Sequence, residues 1–272
     1  MTRGDRPLTA VITLSSLGRL SHLRRQQESL GGLPNLLRII VWIGDDEPPP
    51  LDAEIVHRVA PGQDGLRLAA ARNAGAARAI AEGADLLIFL DADCLPGPHL
   101  MERYRTAAES HPNAILCGPV TYLAEGVDVV DSAALEALTA PHPARPSPAD
   151  GATVPAAPSE YPLFWSLSFA TSAAGWRSAP DFDEGYEGYG GEDTDFAFAL
   201  RDRGIPLMWV GGAHAYHQHH PTQSPPWQHL DDILRNGARF ARRWGQWPMT
   251  GWLERFEEAG AVVHDSGGWR PA

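Results

Sequence analysis

The sequence predicts a mixed α/β fold in which a mainly parallel sheet is flanked by helices and a helical extension follows at the C-terminus. Three observations lead to this prediction. Strand-like and helix-like segments alternate through the first 120 residues, as they do in folds built on a parallel sheet. Leu86–Leu90 is an unbroken apolar run, which is typical of a central strand covered on both faces. Two amphipathic helical patterns occupy residues 227–256.

The elements of the N-terminal part follow from local composition and from end signals. A run of alanines predicts a helix at residues 65–81 that Gly83 ends, and its small side chains allow a close approach to the sheet or to a ligand. Of its charged residues, Arg67 and Arg72 cannot face the same direction, so we expect one to meet phosphate and the other to pack or pair at the surface. The other predicted elements of this part are strands at Leu8–Leu14, Arg38–Ile43, Glu54–Val59 and Ala114–Val120, and helices at Ser21–Leu30 and residues 97–110.

Asp91 and Asp93 come directly after Leu86–Leu90, where the central strand is predicted to end. Ligands of open α/β sheets lie beyond the carboxyl ends of strands, and alternation along an extended segment sends both carboxylates the same way. Two such groups repel each other unless a cation lies between them. Mg²⁺ and Mn²⁺ prefer oxygen ligands, so the pair predicts a site for a metal and a phosphate. The alternative is a solvated acidic turn.

A glycine-rich loop at residues 185–191 leads into a predicted helix that Gly204 ends. Glu192 and Asp193 fall in the first turn of this helix, where carboxylates also cap free backbone N–H groups. The glycines leave room beside these carboxylates for a bulky substrate. We expect the helix dipole to keep one of them ionised, so that it can accept a proton at neutral pH as a general base.

Four histidines lie within seven residues, after a strand predicted at Pro206–Gly211. Nitrogen-rich sites favour zinc, whereas a magnesium-type site takes mostly oxygen ligands. We therefore expect one histidine to join Asp93 on Mn²⁺, which accepts imidazole, and the alternative is a surface cluster without a ligand role. The four candidates are His214, His217, His219 and His220.

The composition changes at residue 139. Seven of the 24 prolines lie in residues 141–162, interleaved with alanine, serine and threonine, and such a segment buries too little surface to order itself. We predict a mobile loop at residues 139–162, either disordered or a ligand-gated lid, and a strand at Leu163–Phe169. The chain is thereby divided into three predicted parts, namely residues 1–120, 121–220 and 221–272.

The overall composition excludes some functions. A net charge of −12 argues against nucleic-acid binding, which needs a basic face to displace counterions. Cys94 and Cys117 have no spacing typical of a metal clip or a disulfide framework, so we expect both to be reduced core residues. The polar start Met1–Pro7, and the absence of any window near the roughly 18 apolar residues of a membrane span, predict a bacterial protein of the cytoplasm.

Taken together, these motifs resemble those of family 2 glycosyltransferases, which have the GT-A fold. Ala69–Gly75 followed by Leu87–Asp93 resembles the nucleotide-sugar half of that family with its Asp-x-Asp metal motif. Gly188–Asp193 together with Ala215–Gln218 is similar to the acceptor half of β-1,4-galactosyltransferases and of bacterial chondroitin-type polymerases. The resemblance covers residues 8–220, and the two motif groups occur in the order that the family shows.

The resemblance implies a role for each motif. Residues 1–120 would bind a nucleotide sugar, expected to be UDP-linked, and residues 121–220 an acceptor that bears a hydroxyl. Asp193 would be the general base of an inverting transfer, and Glu192 would orient the acceptor. The metal, Mn²⁺ or Mg²⁺, would neutralise charge on the departing diphosphate. The other residues implied are Ser15, Asp45 or Asp46, and Arg67 at the nucleotide, Asp91 at the ribose and the metal, and Asp93 and His217 at the metal.

Two other functions remain as alternatives. A catalytically silent sugar-nucleotide-binding or scaffold protein would use the Trp-rich C-terminal helices as its partner surface. Otherwise, the aromatic residues of those helices are expected to form core or the surface of a homodimer. A nucleotidyltransferase also places carboxylates after strands, but it needs a basic triphosphate loop, and Leu14–Arg19 contains too little glycine and lysine for one.

Overall fold

The computed structural model describes residues 7–128 and 131–272. The strands are β1 (Thr9–Ser15), β2 (Leu36–Ile43), β3 (Ile55–Val59), β4 (Leu86–Leu90), β5 (Cys94–Pro96), β6 (Ile115–Cys117), β7 (Val120–Tyr122), β8 (Thr153–Pro155), β9 (Ser168–Ser172), β10 (Leu207–Val210), β11 (Ala215–His217), β12 (Val262–Asp265) and β13 (Gly268–Pro271). The α-helices are α1 (Leu20–Leu30), α2 (Leu68–Ala81), α3 (Leu100–Ser110), α4 (Ser132–Glu136), α5 (Ala173–Ser178), α6 (Glu192–Asp202), α7 (Leu230–Trp244) and α8 (Thr250–Glu258). Short 3-10 helices form at Leu17–Arg19, Pro158–Leu163 and Trp227–His229.

The central sheet has the strand order β3-β2-β1-β4-β9-β6-β10-β8. The first four strands run parallel, as do β6 and β10, whereas β9 is antiparallel to β4 and to β6, and β8 is antiparallel to β10. The predicted mixed, mainly parallel sheet with flanking helices is therefore confirmed. Strands from residues 1–120 and from residues 121–220 enter the same sheet, so these two parts share a core, and the division between them stays a prediction.

Strand β4 lies in the middle of this sheet, as the apolar run predicts, and all of its side chains are buried. Leu87 and Phe89 belong to the apolar cluster that contains the alanines of α2. Ile88 and Leu90 belong to the cluster that contains α3. Because both faces are covered, the end of β4 is the part of the strand where a polar group can be placed, and Asp91 follows there.

Helix α2 lies close against the sheet. A Cβ atom on Gly75 would come within 2.5 Å of Cγ2 of Ile12 and within 3.0 Å of Cγ2 of Val41, so a side chain does not fit there. Ala71 and Ala76 on the same helix are fully buried. The close approach that the small side chains predict is confirmed.

The single strand predicted at Ala114–Val120 is divided in two. β6 belongs to the central sheet, whereas β7 belongs to a smaller sheet with the order β5-β11-β7. Pro119 lacks an N–H for the strand ladder, and a Cβ atom on Gly118 would collide with the carbonyl oxygen of Ala213. The break lets β7 pair in parallel with β11, which places Tyr122 opposite His217.

The segment at residues 139–162 contains more regular structure than its composition predicts. β8 pairs with β10 at the edge of the central sheet, and a 3-10 helix follows at Pro158–Leu163. The Tyr161 hydroxyl donates a hydrogen bond to the Ile205 carbonyl at 2.9 Å. An open sheet edge supplies backbone partners that composition does not reveal. The mobility of this segment stays a prediction. The strand predicted at Leu163–Phe169 begins later, as β9.

The predicted C-terminal helical extension is present as α7 and α8, followed by the hairpin of β12 and β13. Ile233, Phe256 and Val262 are fully buried in the apolar cluster that these elements share. Cys94 and Cys117 are buried free thiols, as expected. In the part of the chain that the structure describes, no helix combines the length and apolarity needed to cross a bilayer.

Candidate active site

Asp93 and two histidines form the first cluster of the site. The antiparallel pairing of β5 with β11 places His217 opposite Cys94, next to Asp93, and the backbone N–H of Gln218 donates to the Asp93 carbonyl at 2.7 Å. Nε2 of His217 lies 3.6 Å from Oδ1 of Asp93, and Nε2 of His220 lies 3.5 Å from Oδ2. One possible ligand atom from each of the three residues lies within 4.8 Å of the others.

The charges of this cluster suit a cation. Burial opposes ionisation of Asp93, but His220, His217 and Arg19 outweigh it and hold the pKa of that carboxyl at about 2. Burial lowers the pKa of His217, although the nearby Asp93 opposes this effect. At neutral pH the carboxylate is therefore charged and the His217 imidazole is neutral, which are the forms that bind metals.

The donor set of this cluster decides which metals fit it. Two imidazole nitrogens and one carboxylate are accepted by Mn²⁺, Zn²⁺ and Fe²⁺, whereas Mg²⁺ prefers oxygen ligands. Of the two expected metals, Mn²⁺ thus fits better than Mg²⁺. Asp91, which was also expected at the metal, lies outside this cluster and contacts Arg72 instead.

The other two histidine candidates have different surroundings. His214 is buried, and its Nε2 lies 2.7 Å from the Thr121 hydroxyl. Burial lowers the pKa of His214 to about 4, so it stays neutral as part of the core. The side chain of His219 is exposed. The structure therefore brings His217 and His220 to Asp93, where the sequence predicted one histidine.

Arg72 joins Asp91 to Glu192. Nη1 of Arg72 lies 3.1 Å from Oε1 of Glu192, and Nη2 lies 3.8 Å from Oδ1 of Asp91. The guanidinium is 3% exposed and also lies over the ring of Phe182, with its Cζ atom 5.2 Å from the centroid. A group that ends a central strand and a group that begins α6, 101 residues apart, thus border the same cleft.

Asp193 lies beside Glu192 in the first turn of α6. The glycines before it adopt positive φ angles, among them 86° at Gly190 and 94° at Gly191, which permit the tight entry into the helix. Oδ1 of Asp193 accepts hydrogen bonds from the backbone N–H of Thr194 at 2.7 Å and from its hydroxyl at 3.3 Å.

The protonation of Asp193 differs from the expectation. Burial and the neighbouring Glu192 raise its pKa from 3.8 to about 7, although Arg72 and Thr194 oppose the shift. The helix N-terminus therefore does not keep this carboxylate fully ionised at neutral pH, because desolvation and like charge outweigh the dipole. A carboxylate with a pKa near 7 is well matched to accept a proton at neutral pH.

The residues expected at the nucleotide do not all lie together. Ser15 is buried at the end of β1, and its hydroxyl lies 3.4 Å from the Ser16 carbonyl. Asp45 and Asp46 line a cavity of about 100 Å³ at the end of β2, together with Leu17 and Trp42.

Arg67, which was also expected at the nucleotide, pairs with Glu184 at 3.3 Å on the surface. Of the two arginines that the sequence left open, Arg72 thus faces the cleft and Arg67 forms the surface pair. A contact between Arg67 and the nucleotide stays a prediction.

Residues 22–133 match the family model described as glycosyl transferase family 2. This segment of the chain is therefore similar to the domain of that family. No curated protein sequence matches the chain.

Solved structures agree with this assignment at the level of the fold. GalNAc-T7, in a structure with UDP, GalNAc and Mn²⁺, is 16% identical with a TM-score of 0.60 over 88% of this chain and 48% of its own. S. aureus TarS is 12% identical with a TM-score of 0.57 over 92% of this chain and 42% of its own. A structure of TarS residues 1–349 has a TM-score of 0.54 at 12% identity, over 93% of this chain and 79% of its own. The chain has the GT-A fold, and it spans about half the length of GalNAc-T7 and of the first TarS structure.

Helix α7 fixes the glycine-rich loop that precedes α6. Oδ2 of Asp232 accepts a hydrogen bond from the backbone N–H of Tyr189 at 3.1 Å. Nδ2 of Asn236 donates to the carbonyls of Glu187 at 2.9 Å and Tyr189 at 3.1 Å. Arg235 donates to the Glu187 carbonyl at 2.9 Å. The C-terminal extension, for which the sequence predicted no catalytic part, therefore determines the shape of the loop before Glu192.

Asp195 forms a second set of contacts between α6 and α7. It is 1% exposed and accepts hydrogen bonds from the Tyr186 hydroxyl at 3.2 Å, from Nε1 of Trp244 at 2.7 Å and from Nη1 of Arg243 at 2.6 Å. Burial raises its pKa, and the Trp244 and Arg243 contacts oppose the shift. In the sequence, Asp195 is recognisable only as an acidic residue in the first turn of a helix. Its partners in α7 are about 50 residues away, so no local pattern identifies them.

Two tyrosines border the cleft between the Asp93 cluster and Asp193. The ring of Tyr122 stacks on His217 with centroids 4.6 Å apart, and it is half exposed. Tyr189, next to the glycines, stacks on His229 with centroids 4.4 Å apart. Burial and the carboxylates of α6 raise the pKa of Tyr189 to about 12, so its hydroxyl remains a hydrogen-bond donor at neutral pH.

Replacing Arg72 tests whether the two carboxylates beside it depend on its charge. Arg72→Met keeps most of the side-chain volume but leaves Asp91 and Glu192 without their shared cation, so we expect the free energy of unfolding to fall by about 3 kcal/mol. Arg67→Met removes an exposed pair and should cost about 0–1 kcal/mol. Urea unfolding at pH 7.5 measures both values. Equal losses for the two variants would contradict the central role of Arg72.

Proposed function

We propose that this chain is an inverting, metal-dependent glycosyltransferase that moves a sugar from a UDP-linked donor to an acceptor hydroxyl. The observation that carries the proposal is the Arg72 bridge, which brings the end of β4 and the start of α6 to one cleft. Chemistry at the donor and proton transfer at the acceptor need such proximity. A cytoplasmic location, a bacterial source and a homodimer stay predictions.

Asp93, His217 and His220 would hold the metal, since their ligand atoms converge, and the ionised Asp93 and the neutral His217 suit a cation. When bound, a divalent metal supplies charge neutralisation for the departing diphosphate. The Mn²⁺ and UDP in the GalNAc-T7 structure support this choice of metal and of donor.

The nucleoside of the donor would lie against the small cavity between the ends of β1 and β2 and place one edge in it. Leu17 and Trp42 offer apolar contact there, and Asp45 and Asp46 offer acceptors for hydroxyl or N–H groups. Asp91, between this region and Glu192, is the proposed partner of the ribose or of the metal shell. Its pKa is raised to about 7, mainly by burial and against the effect of Arg72, so a nearby cation would favour its ionised form.

Asp193 would accept the proton of the acceptor hydroxyl while that oxygen attacks the anomeric carbon from the face opposite the diphosphate. The attack forms the new C–O bond as the bond to the leaving diphosphate breaks, which inverts the configuration. Glu192 would orient the acceptor, since Arg72 contacts its Oε1 and leaves Oε2 for a hydroxyl. The exposed Tyr189 lies next to both groups in the glycine-rich loop.

Asp193→Asn tests the base. The amide keeps the size and the capping position of the side chain but accepts no proton, so we expect kcat to fall at least about 10²-fold while UDP affinity changes little. A panel of UDP-sugars and glycoside acceptors provides the transfer assay, and calorimetry measures UDP binding. Asp202→Asn, at the exposed far end of α6, is the control. Full turnover by Asp193→Asn would remove Asp193 from the base role.

The pH dependence follows from the raised pKa of Asp193. A base works only when it is deprotonated, so kcat/KM should fall about tenfold per pH unit below a midpoint near pH 7 and level off above it. UDP binding measured over the same range separates this effect from titration at the donor side. A flat profile from pH 5 to pH 8 would exclude Asp193 as the titrating base.

Asp93→Asn tests the metal site. It removes the charge that two imidazoles surround, so we expect Mn²⁺ affinity to fall at least about tenfold. Asp128→Asn removes an exposed carboxylate that pairs with Arg25 and should leave Mn²⁺ binding unchanged. Titration calorimetry with Mn²⁺ and Mg²⁺ reports both results. Unaltered Mn²⁺ affinity in Asp93→Asn would place the metal elsewhere.

A further inference from the structure

We propose that Arg19 makes the binding of the metal and of the donor diphosphate interdependent, because it occupies the metal-ligand atoms in the free enzyme and binds phosphate once a metal has displaced it. This inference rests on the proposed function, since it assumes that Asp93 and His220 bind a metal. It assigns a binding role to a residue outside the sites that sequence motifs identify.

The contacts of Arg19 involve the metal-ligand atoms. Its Nε donates to Oδ2 of Asp93 at 3.1 Å, and its Nη2 lies 3.2 Å from Nε2 of His220. Nη2 also lies 3.5 Å from Nδ1 of the same ring, so the guanidinium faces both nitrogens of His220. A metal at this cluster would use Oδ2 of Asp93 and a nitrogen of His220. Arg19 and a metal therefore compete for the same side of these two side chains.

The charge of Arg19 also opposes the metal. Two positive groups about 4 Å apart in water repel by an energy equivalent to a roughly fivefold change in affinity, and more where the site is partly buried. The Asp93 side chain is only 13% exposed. Metal binding in the absence of another ligand must therefore overcome both the lost hydrogen bonds and this repulsion.

The position of Arg19 indicates that phosphate is its second partner. It ends the 3-10 helix Leu17–Arg19, and Leu17 lines the small cavity next to Trp42 and Asp45. A diphosphate that connects a nucleoside in this cavity to a metal at Asp93 must pass Arg19. The planar fork of a guanidinium matches phosphate oxygens in two-point contacts. The Arg19 side chain is 41% exposed, so it is free to turn from Asp93 to such a ligand.

The consequence is a coupling between two ligands. A metal releases Arg19 for phosphate, and phosphate draws Arg19 away from the metal ligands, so each ligand should raise the affinity of the other by the same factor. A residue that only held the metal ligands in place would have the opposite effect on the metal, since its loss would weaken metal binding.

Calorimetric titrations of Mn²⁺ and of UDP, each with and without the other, test this coupling in the wild type and in variants. In Arg19→Ala we expect Mn²⁺ alone to bind about fivefold tighter and UDP to bind the Mn²⁺-loaded protein about tenfold weaker or more. Arg19→Lys keeps the charge without the fork, so its Mn²⁺ affinity should stay near that of the wild type while UDP binding is intermediate. Arg24→Ala removes an exposed charge from α1, the helix that follows, and should change neither value.

The possible outcomes separate this inference from the function on which it rests. If the wild type binds neither Mn²⁺ nor UDP, the proposed function itself fails. If the wild type binds both, weaker Mn²⁺ binding by Arg19→Ala, or unchanged UDP affinity, overturns the role of Arg19. Circular dichroism and thermal unfolding establish that the variants are folded, and the free Mn²⁺ signal in electron paramagnetic resonance provides a second measure of metal binding.

Discussion

The cleft depends on the compensation of negative charge. Asp91, Asp93, Glu192 and Asp193 come from distant parts of the chain and would repel one another if no cation lay among them. Arg72 supplies a buried charge between Asp91 and Glu192, and Arg19 supplies a partly exposed one at Asp93. The first is fixed by packing, and the second is free to move. The remaining negative charge is what a divalent metal would neutralise.

The C-terminal extension belongs to the site through hydrogen bonds to the backbone of the glycine-rich loop and to the Asp195 side chain. Asn236 and Asp232 hold the loop that precedes Glu192, and Asp195 receives three hydrogen bonds, two of them from α7. Carboxylates at a helix start keep their direction only if the preceding turn is fixed, and glycines alone leave that turn free. The matched family segment at residues 22–133 contains none of these contacts. The contacts that fix the proposed acceptor side therefore lie outside the matched family segment.

The sequence predicted those features of the structure that depend on residues close together along the chain. The apolar run of β4, the alanines of α2 and the glycine-ended α6 determine local structure, and Asp91, Asp93 and Asp193 could be placed because they follow directly from these elements. The direction of Arg72 could not be predicted, since its partner Glu192 is 120 residues away. His220 lies outside a strand and reaches Asp93 only through the fold. The edge strand β8 depends on β10 as its partner, and a proline-rich composition conceals this pairing.

Similar carboxylates acquire different roles in this cleft because their neighbours differ. Asp93 is surrounded by Arg19, His217 and His220, which hold its pKa at about 2, so it stays charged at any physiological pH. Asp193 has Glu192 beside it and little solvent, which raise its pKa to about 7. A metal ligand that took up protons would lose its metal, and a base with a pKa of 2 would hold protons poorly. The roles proposed for these two residues therefore could not be exchanged without exchanging their surroundings.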